Sequence, residues 1–157
     1  MPMTTNAVAQ ACAKVEIQPN CTGTWYDIGS EATTVTLPEE TVNTGVMYVF
    51  DDDRGIITHG KKQPVTATVS GAFTNGASEA FNQVRTIWQT AGCDRKLCLR
   101  VIPEGGDVGD LEIYIGDPTH KALLVGFKPP DVDAGSGDPA SFSFSVYGNY
   151  DYDVKAS

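Results

Sequence analysis

The sequence has no long apolar run, few basic residues and only two histidines, and each shortage removes a class of function. No stretch approaches the roughly 18 consecutive apolar residues that a membrane-spanning helix requires. Lys and Arg number 11 against 20 Asp and Glu, a formal net charge of −9. Tight nucleic-acid binding needs clustered cations to neutralise phosphates, and an anionic membrane surface needs them too, so neither partner fits. Acidity of this degree first of all keeps a protein in solution. His59 and His120 stand far from every cysteine, and no Cys-x-x-Cys occurs, so the spacing of a zinc site is missing. Residues 1–13 carry no basic segment and no apolar core, and do not read as a secretory signal. The expectation is a chain made and folded in the cytoplasm unless a leader has been removed.

What is present suits one domain around one main core, residues 1–157, with 41% hydrophobic residues. The four cysteines fall in two local pairs, Cys12 with Cys21 and Cys93 with Cys98. Two readings stand side by side. Either all four are free thiols in a reduced protein, or two local disulfides staple a particle that leaves the cell.

Residues 1–20 are small and polar and predict a flexible arm. Strand signals begin at Trp25, with short candidates at 25–28 and 33–37. Residues 46–50 and 56–58 flank Asp51-Asp52-Asp53-Arg54-Gly55 and predict a hairpin. Val65, Ala67 and Val69 alternate with Thr66, Thr68 and Ser70, the period of a half-buried strand. The period then changes: Phe81, Val84, Trp88 and Ala91 recur at three and four, with Ile87 beside them, so 77–91 predicts an amphipathic helix. Asn75 or Ser78 is placed to cap its start and Gly92 its end, with Trp88 an anchor against a sheet. Strands resume at 96–102, 111–115 and 122–127, and a Pro/Gly/Ser/Asp loop fills 129–139. Ser141 to Tyr147 shows the strictest alternation in the chain. The fold class is therefore mainly β, an antiparallel sandwich or barrel with one flanking α-helix, and no doubly wound parallel sheet.

The chemistry-bearing clusters are weak. Asp51, Asp52 and Asp53 read as a solubilising turn, since adjacent carboxylates point apart. Asp131, Asp133 and Asp138, among glycines, resemble a calcium loop but lack the downstream Glu of an EF-hand. The glycines of 103–110 precede no Gly-Lys-[Ser/Thr] and no helix, so they predict no phosphate cradle. His59 and His120 read as surface residues, and no serine sits in a nucleophile elbow. The chain is not expected to be an enzyme, and no cofactor is implied. The feature that wants explaining is residues 39–62, where Val46, Met47, Tyr48, Val49, Phe50, Ile56 and Ile57 crowd one hairpin. A small sandwich cannot bury both faces of such a hairpin, and exposed apolar strands mark association.

At this point the chain resembles the major tail tube proteins of long-tailed, siphovirus-like bacteriophages. The resemblance rests on Trp25-Tyr26-Asp27-Ile28-Gly29, on the stretch from Ile57 to Val69, on Ser78-Glu79-Ala80-Phe81-Asn82-Gln83-Val84-Arg85, on Leu99 to Gly106, and on Gly137-Asp138-Pro139 before an alternating strand. It spans about 25–152 and is one of pattern and order. It implies a homohexameric ring that joins sheets around a lumen, and rings stacked into a virion tail tube assembled in the host cytoplasm. It makes 39–62 an inter-ring loop, with the N-terminal arm and the 140–157 strand and tail as further subunit contacts. Its implied partners are the tape-measure protein, tail terminator, baseplate or tip proteins, and double-stranded DNA in transit during ejection without specific binding. A lumen lined by Asp and Glu would repel that DNA within a screening length of about 8 Å, letting it slide. Two other readings are a type VI-like secreted tube protein and a calcium-dependent β-sandwich binding module using Asp131, Asp133 and Asp138.

Overall fold

In the computed structural model, which describes residues 6–90 and 92–156, alternating apolar residues are gathered into two antiparallel sheets packed face to face. The chain runs through β1 (Lys14–Pro19), β2 (Tyr26–Asp27), β3 (Ala32–Thr36), β4 (Val42–Met47), β5 (Ile56–Lys62) and β6 (Val65–Ala72). Helix α1 (Ala80–Trp88) follows, then β7 (Leu97–Ile102), β8 (Leu111–Ile115), β9 (Leu123–Lys128), β10 (Ser141–Gly148) and β11 (Tyr150–Val154). One sheet has the order β11-β8-β7-β1-β2 and the other β3-β6-β10-β9, while β4 and β5 pair only with each other. Among the described residues the sheets form a sandwich with no closed barrel.

The core lies where the two inner faces meet. Ile17 opposes Leu99, which opposes Ile115, and Val15 opposes Val101. On the second sheet Phe144 opposes Val69 and Phe127, and Val146 opposes Ala67 and Leu124. Ile17, Leu99, Phe144, Val69 and Val146 are all fully buried. Strand β10 repeats serine and apolar residues, and its burial follows that period.

Helix α1 is shorter than the 77–91 stretch, whose Ala91 lies outside the described residues. It buries Ala80 and Val84, four apart on one face, and it packs on β9. Phe81 meets Phe73, Phe127 and Phe142, and Trp88 stacks on Phe127 as an anchor. Neither Asn75 nor Ser78 caps it: Glu79 holds the N-cap position without a side-chain bond, and Asn82 Nδ2 donates to the Gly76 carbonyl instead. At the other end Arg95 Nε donates to the Trp88 carbonyl and the Thr90 hydroxyl to that of Thr86, so the last turn is closed before Gly92.

Two expectations fail here. Residues 14–19 are no arm: β1 sits between β7 and β2 with Val15, Glu16, Ile17 and Gln18 buried. The Val15/Ile17 alternation is too short to stand out beside polar neighbours, and pairing with β7 supplies what its composition does not. Residues 1–5 of that stretch lie outside the described residues. The local cysteine pairs do not form either. Cys21 is bonded to Cys98 across 77 residues of sequence, with Cα atoms 5.0 Å apart, while Cys12 and Cys93 are free and exposed. Six-residue register between β1 and β7 places Gln18 opposite Cys98, and the tight turn after β1 returns Cys21 to it. The segment after Tyr147 forms β11, paired along β8 at the edge of its sheet with most of its residues exposed.

Candidate functional site

The hairpin of β4 and β5 buries nothing. Met47 opposes Ile56, Val46 opposes Ile57, Gly45 opposes Thr58 and Thr44 opposes His59, with a bulge near Val42. Every residue of both strands is exposed. All seven apolar residues predicted to seek a partner, Val46, Met47, Tyr48, Val49, Phe50, Ile56 and Ile57, stand in solvent, with Ile57 81% accessible and Phe50 fully so. A two-stranded ribbon is marginal by itself in water. Its base is fixed instead: Gln63 N–H donates to the Thr41 carbonyl (2.7 Å), Lys62 pairs with Glu40 (3.8 Å), and the Tyr150 hydroxyl donates to the Pro38 carbonyl (2.7 Å). Burial first, then Tyr152 and Glu40, raises the Tyr150 pKa, so this tether stays protonated at neutral pH. At the tip the Asp52 carboxylate accepts the Arg54 N–H and pairs with its guanidinium (3.5 Å).

A second feature escaped the sequence. On the outer face of the five-stranded sheet Arg100 lies between two buried glutamates, Glu16 and Glu112. Its Nη2 donates to Glu16 Oε2 (2.6 Å) and its Nη1 lies 3.8 Å from Glu112 Oε2. The Tyr114 hydroxyl donates to Glu112, and Lys14 Nζ sits 3.6 Å from Glu16. Arg100 also stacks on Trp25 at 4.4 Å, with Tyr114 edge-on to that indole. Burial alone would lower the Arg100 pKa, but the bonds to Glu16 and Tyr114 overcome it and raise it. Burial, then the Glu112 bond, raises that of Tyr114. These contacts cross-link β1, β7 and β8, while Arg100 Nε and Glu16 Oε1 are buried without a hydrogen-bond partner among the described residues. Asp27, Asp151 and Asp153 share that face, opposite Glu16, Tyr114 and Glu112 respectively. Five carboxylates thus share a sheet face with Lys14 and Arg100, and two of them, Glu16 and Glu112, pair with these cations. The signal was available as Glu16, Arg100, Glu112 and Tyr114 at outward strand positions, but only the register brings them together.

The remaining candidates stay apart. Asp131 pairs with Lys128 (2.8 Å), Asp133 accepts the Gly135 N–H, and the Asp138 N–H takes the Ser136 hydroxyl as acceptor. No group of acidic, His or Cys side chains able to hold a metal occurs among the described residues. His59 is exposed on β5. Asp117 accepts the N–H groups of His120 and Thr119 (2.5 and 2.8 Å), and the His120 bond, followed by that from Thr119, holds its pKa below the ordinary range. No helix of the described residues is long and apolar enough to cross a membrane.

No protein-family model matches the chain, and no curated protein sequence matches it. Solved structures do match it in fold. A chain of the anti-feeding prophage cap (AFP tube terminating cap) superimposes with a TM-score of 0.74 at 11% identity, over 99% of this chain and 96% of that one. A chain of the sheath-tube complex of an extracellular contractile injection system, PVC, in its extended state gives 0.72 at 12% identity, over 96% and 94%. A chain of the tail of an empty GTA particle, refined with C6 symmetry, gives 0.64 at 12% identity, over 96% and 100%. At such identities the likeness is one of fold, and it holds along nearly the full length. The chain has a tail-tube-like fold.

Proposed function

We propose that this protein is the structural subunit of a tail tube: hexameric rings stack into a hollow tube that forms part of a virion tail. The observation that carries the reading is the 42–62 hairpin, whose apolar residues are all exposed in the isolated chain. Surface of that kind on a soluble acidic protein is explained when further copies cover it. Head-to-tail contacts of this sort close into rings by rotation or continue into filaments. The C6 symmetry of the GTA tail and the sixfold-symmetrised AFP baseplate support a hexamer. In this reading Val46, Met47, Tyr48, Val49, Phe50, Ile56 and Ile57 are subunit interface. The protein acts by assembly and not by catalysis. Terminator, baseplate and tape-measure proteins would be its neighbours, and double-stranded DNA its passenger.

The acidic outer face of β1, β7, β8 and β11 is the surface best suited to face such a passenger, because it repels phosphate instead of gripping it. A tube structure with a clearly basic bore would overturn that part. A second reading, a tube subunit of a contractile injection system, is favoured by the fold likeness to the AFP and PVC chains. Negative-stain microscopy of purified protein tests the main claim. Hollow tubes are expected, and a monodisperse monomer at high concentration would end it. A sheath that co-purifies with the tubes separates the second reading from the first.

A further inference from the structure

Away from the assembly surfaces, the link between β6 and α1 carries chemistry of its own. It holds the pair Asn75-Gly76, which occurs nowhere else in the chain: Asn6, Asn20, Asn43, Asn82 and Asn149 each precede a residue with a Cβ. Residues 73–76 belong to no helix or strand, and Asn75 is exposed. Among the described residues no hydrogen bond holds the Asn75 carboxamide or the Gly76 N–H. The Gly76 carbonyl, by contrast, is used twice. It accepts the Glu79 N–H (3.2 Å) and Asn82 Nδ2 (2.9 Å). The N-cap residue makes no side-chain bond, so these two contacts fix the entry to α1.

We propose that Asn75-Gly76 is a self-modifying site, at which the chain converts its own asparagine into an aspartyl or isoaspartyl residue. The Gly76 amide nitrogen attacks the side-chain carbonyl carbon of Asn75. A carbon–nitrogen bond forms there as the Cγ–Nδ2 bond breaks, and ammonia leaves with the proton that the Gly76 nitrogen gives up. The product is a succinimide ring, which water opens at either carbonyl. Attack at the side-chain carbonyl gives aspartate. Attack at the main-chain carbonyl gives isoaspartate, whose backbone runs through the former side chain and is one carbon longer. Water is the sole co-reactant. Glycine favours ring closure because no side chain crowds the attacking nitrogen and because its permissive backbone lets the peptide turn toward the carboxamide. Asn82 shows the opposite case: the N–H that follows it, on Gln83, is already bonded to the Glu79 carbonyl (3.1 Å). The consequence falls on the helix. The added carbon displaces the Gly76 carbonyl from its donors and loosens the start of α1, where Phe81 packs edge-on against Phe73 (4.7 Å). The reaction needs no second subunit and stands apart from the tube reading.

The whole chain, aged at neutral and at mildly alkaline pH, is digested and mapped by mass spectrometry, with isoaspartate counted by isoaspartyl methyltransferase labelling. The peptide that holds Asn75 should shift by the mass of ammonia lost and water gained, faster at the higher pH because the attacking nitrogen must shed its proton. Peptides that hold the other asparagines should stay unshifted. An unshifted Asn75 peptide, or conversion spread evenly over all the asparagines, would overturn the proposal. Gly76→Ala should convert several times more slowly, although its Cβ would lie 2.5 Å from the flexible Glu79 side chain, which must swing aside. Asn75→Gln avoids that clash, and its longer amide closes a less favoured ring, so its peptide should stay unshifted. An undiminished rate in either variant sinks the site. Aged chain should also unfold at a lower denaturant concentration than fresh chain, in step with its isoaspartate, whereas Asn75→Gln should not change with age. Equal losses in both would refute the effect assigned to the Gly76 carbonyl.

Discussion

Strand β10 and the β4–β5 hairpin draw on the same kinds of residue. Phe142, Phe144 and Val146 of β10 are buried between two sheets, one residue in two, with serines between them. Val46, Met47, Ile56 and Ile57 in the hairpin are as apolar, and each stays in water. The difference lies in what each strand has beside it. β10 has β6 and β9 as neighbours and a second sheet beneath, whereas β4 and β5 have only each other. The fold therefore completes its own core and leaves a separate apolar surface over. Stability and assembly should then respond to different substitutions.

The largest effects belong to the interior. Phe144→Ala should cost about 3–5 kcal/mol by leaving a cavity in close-packed surroundings, read as a fall in denaturant midpoint. Cys21→Ser opens a loop of 77 residues and should cost about 4 kcal/mol on chain entropy. In the unaltered chain, reductant should lower the melting temperature to match. Arg100→Ala leaves Glu16 and Glu112 buried without their cation and should cost about 3–5 kcal/mol. A normal melt for that variant would mean the cluster is better hydrated than its burial indicates. Ile57→Asp, by contrast, should change stability by about 0.5 kcal/mol or less, as exposed sites do, while abolishing tubes in electron micrographs. An equal loss of stability would erase the distinction between the two regions.

The smallest effect concerns Asp117. Its folded pKa lies below the ordinary 3.8, chiefly through the His120 N–H. The stability it contributes is present above the ordinary value and is lost as pH falls through the folded one. Asp117→Asn should thus lower the melting temperature slightly at neutral pH and leave it unchanged once the carboxylate is protonated in both states. Half-exposed groups of this kind contribute little.

Much of the sandwich was legible because burial imposes a period. β6 and β10 announced themselves through alternation, α1 through its recurrence at three and four, and the hairpin through turn chemistry at Asp51–Gly55. β1 was hidden. Glu16 and Gln18 are polar yet buried, so Lys14–Pro19 looks like loop until β7 is laid beside it. The same pairing hides the cysteine connectivity, since proximity in sequence favours Cys93 for Cys98 and register favours Cys21. The Glu16–Arg100–Glu112 cluster draws on three strands, and no spacing within one strand foretells it.

By itself the sequence determined the class of fold, the acidity and the surplus of apolar residues in 42–62, because periodicity and composition are local and additive. Only the tertiary structure decided which strands are neighbours. It thereby set which cysteines bond, which carboxylates share a face and whether the hairpin finds cover. Those outcomes depend on register between segments far apart in the chain, where a shift of one residue turns every side chain to the other face.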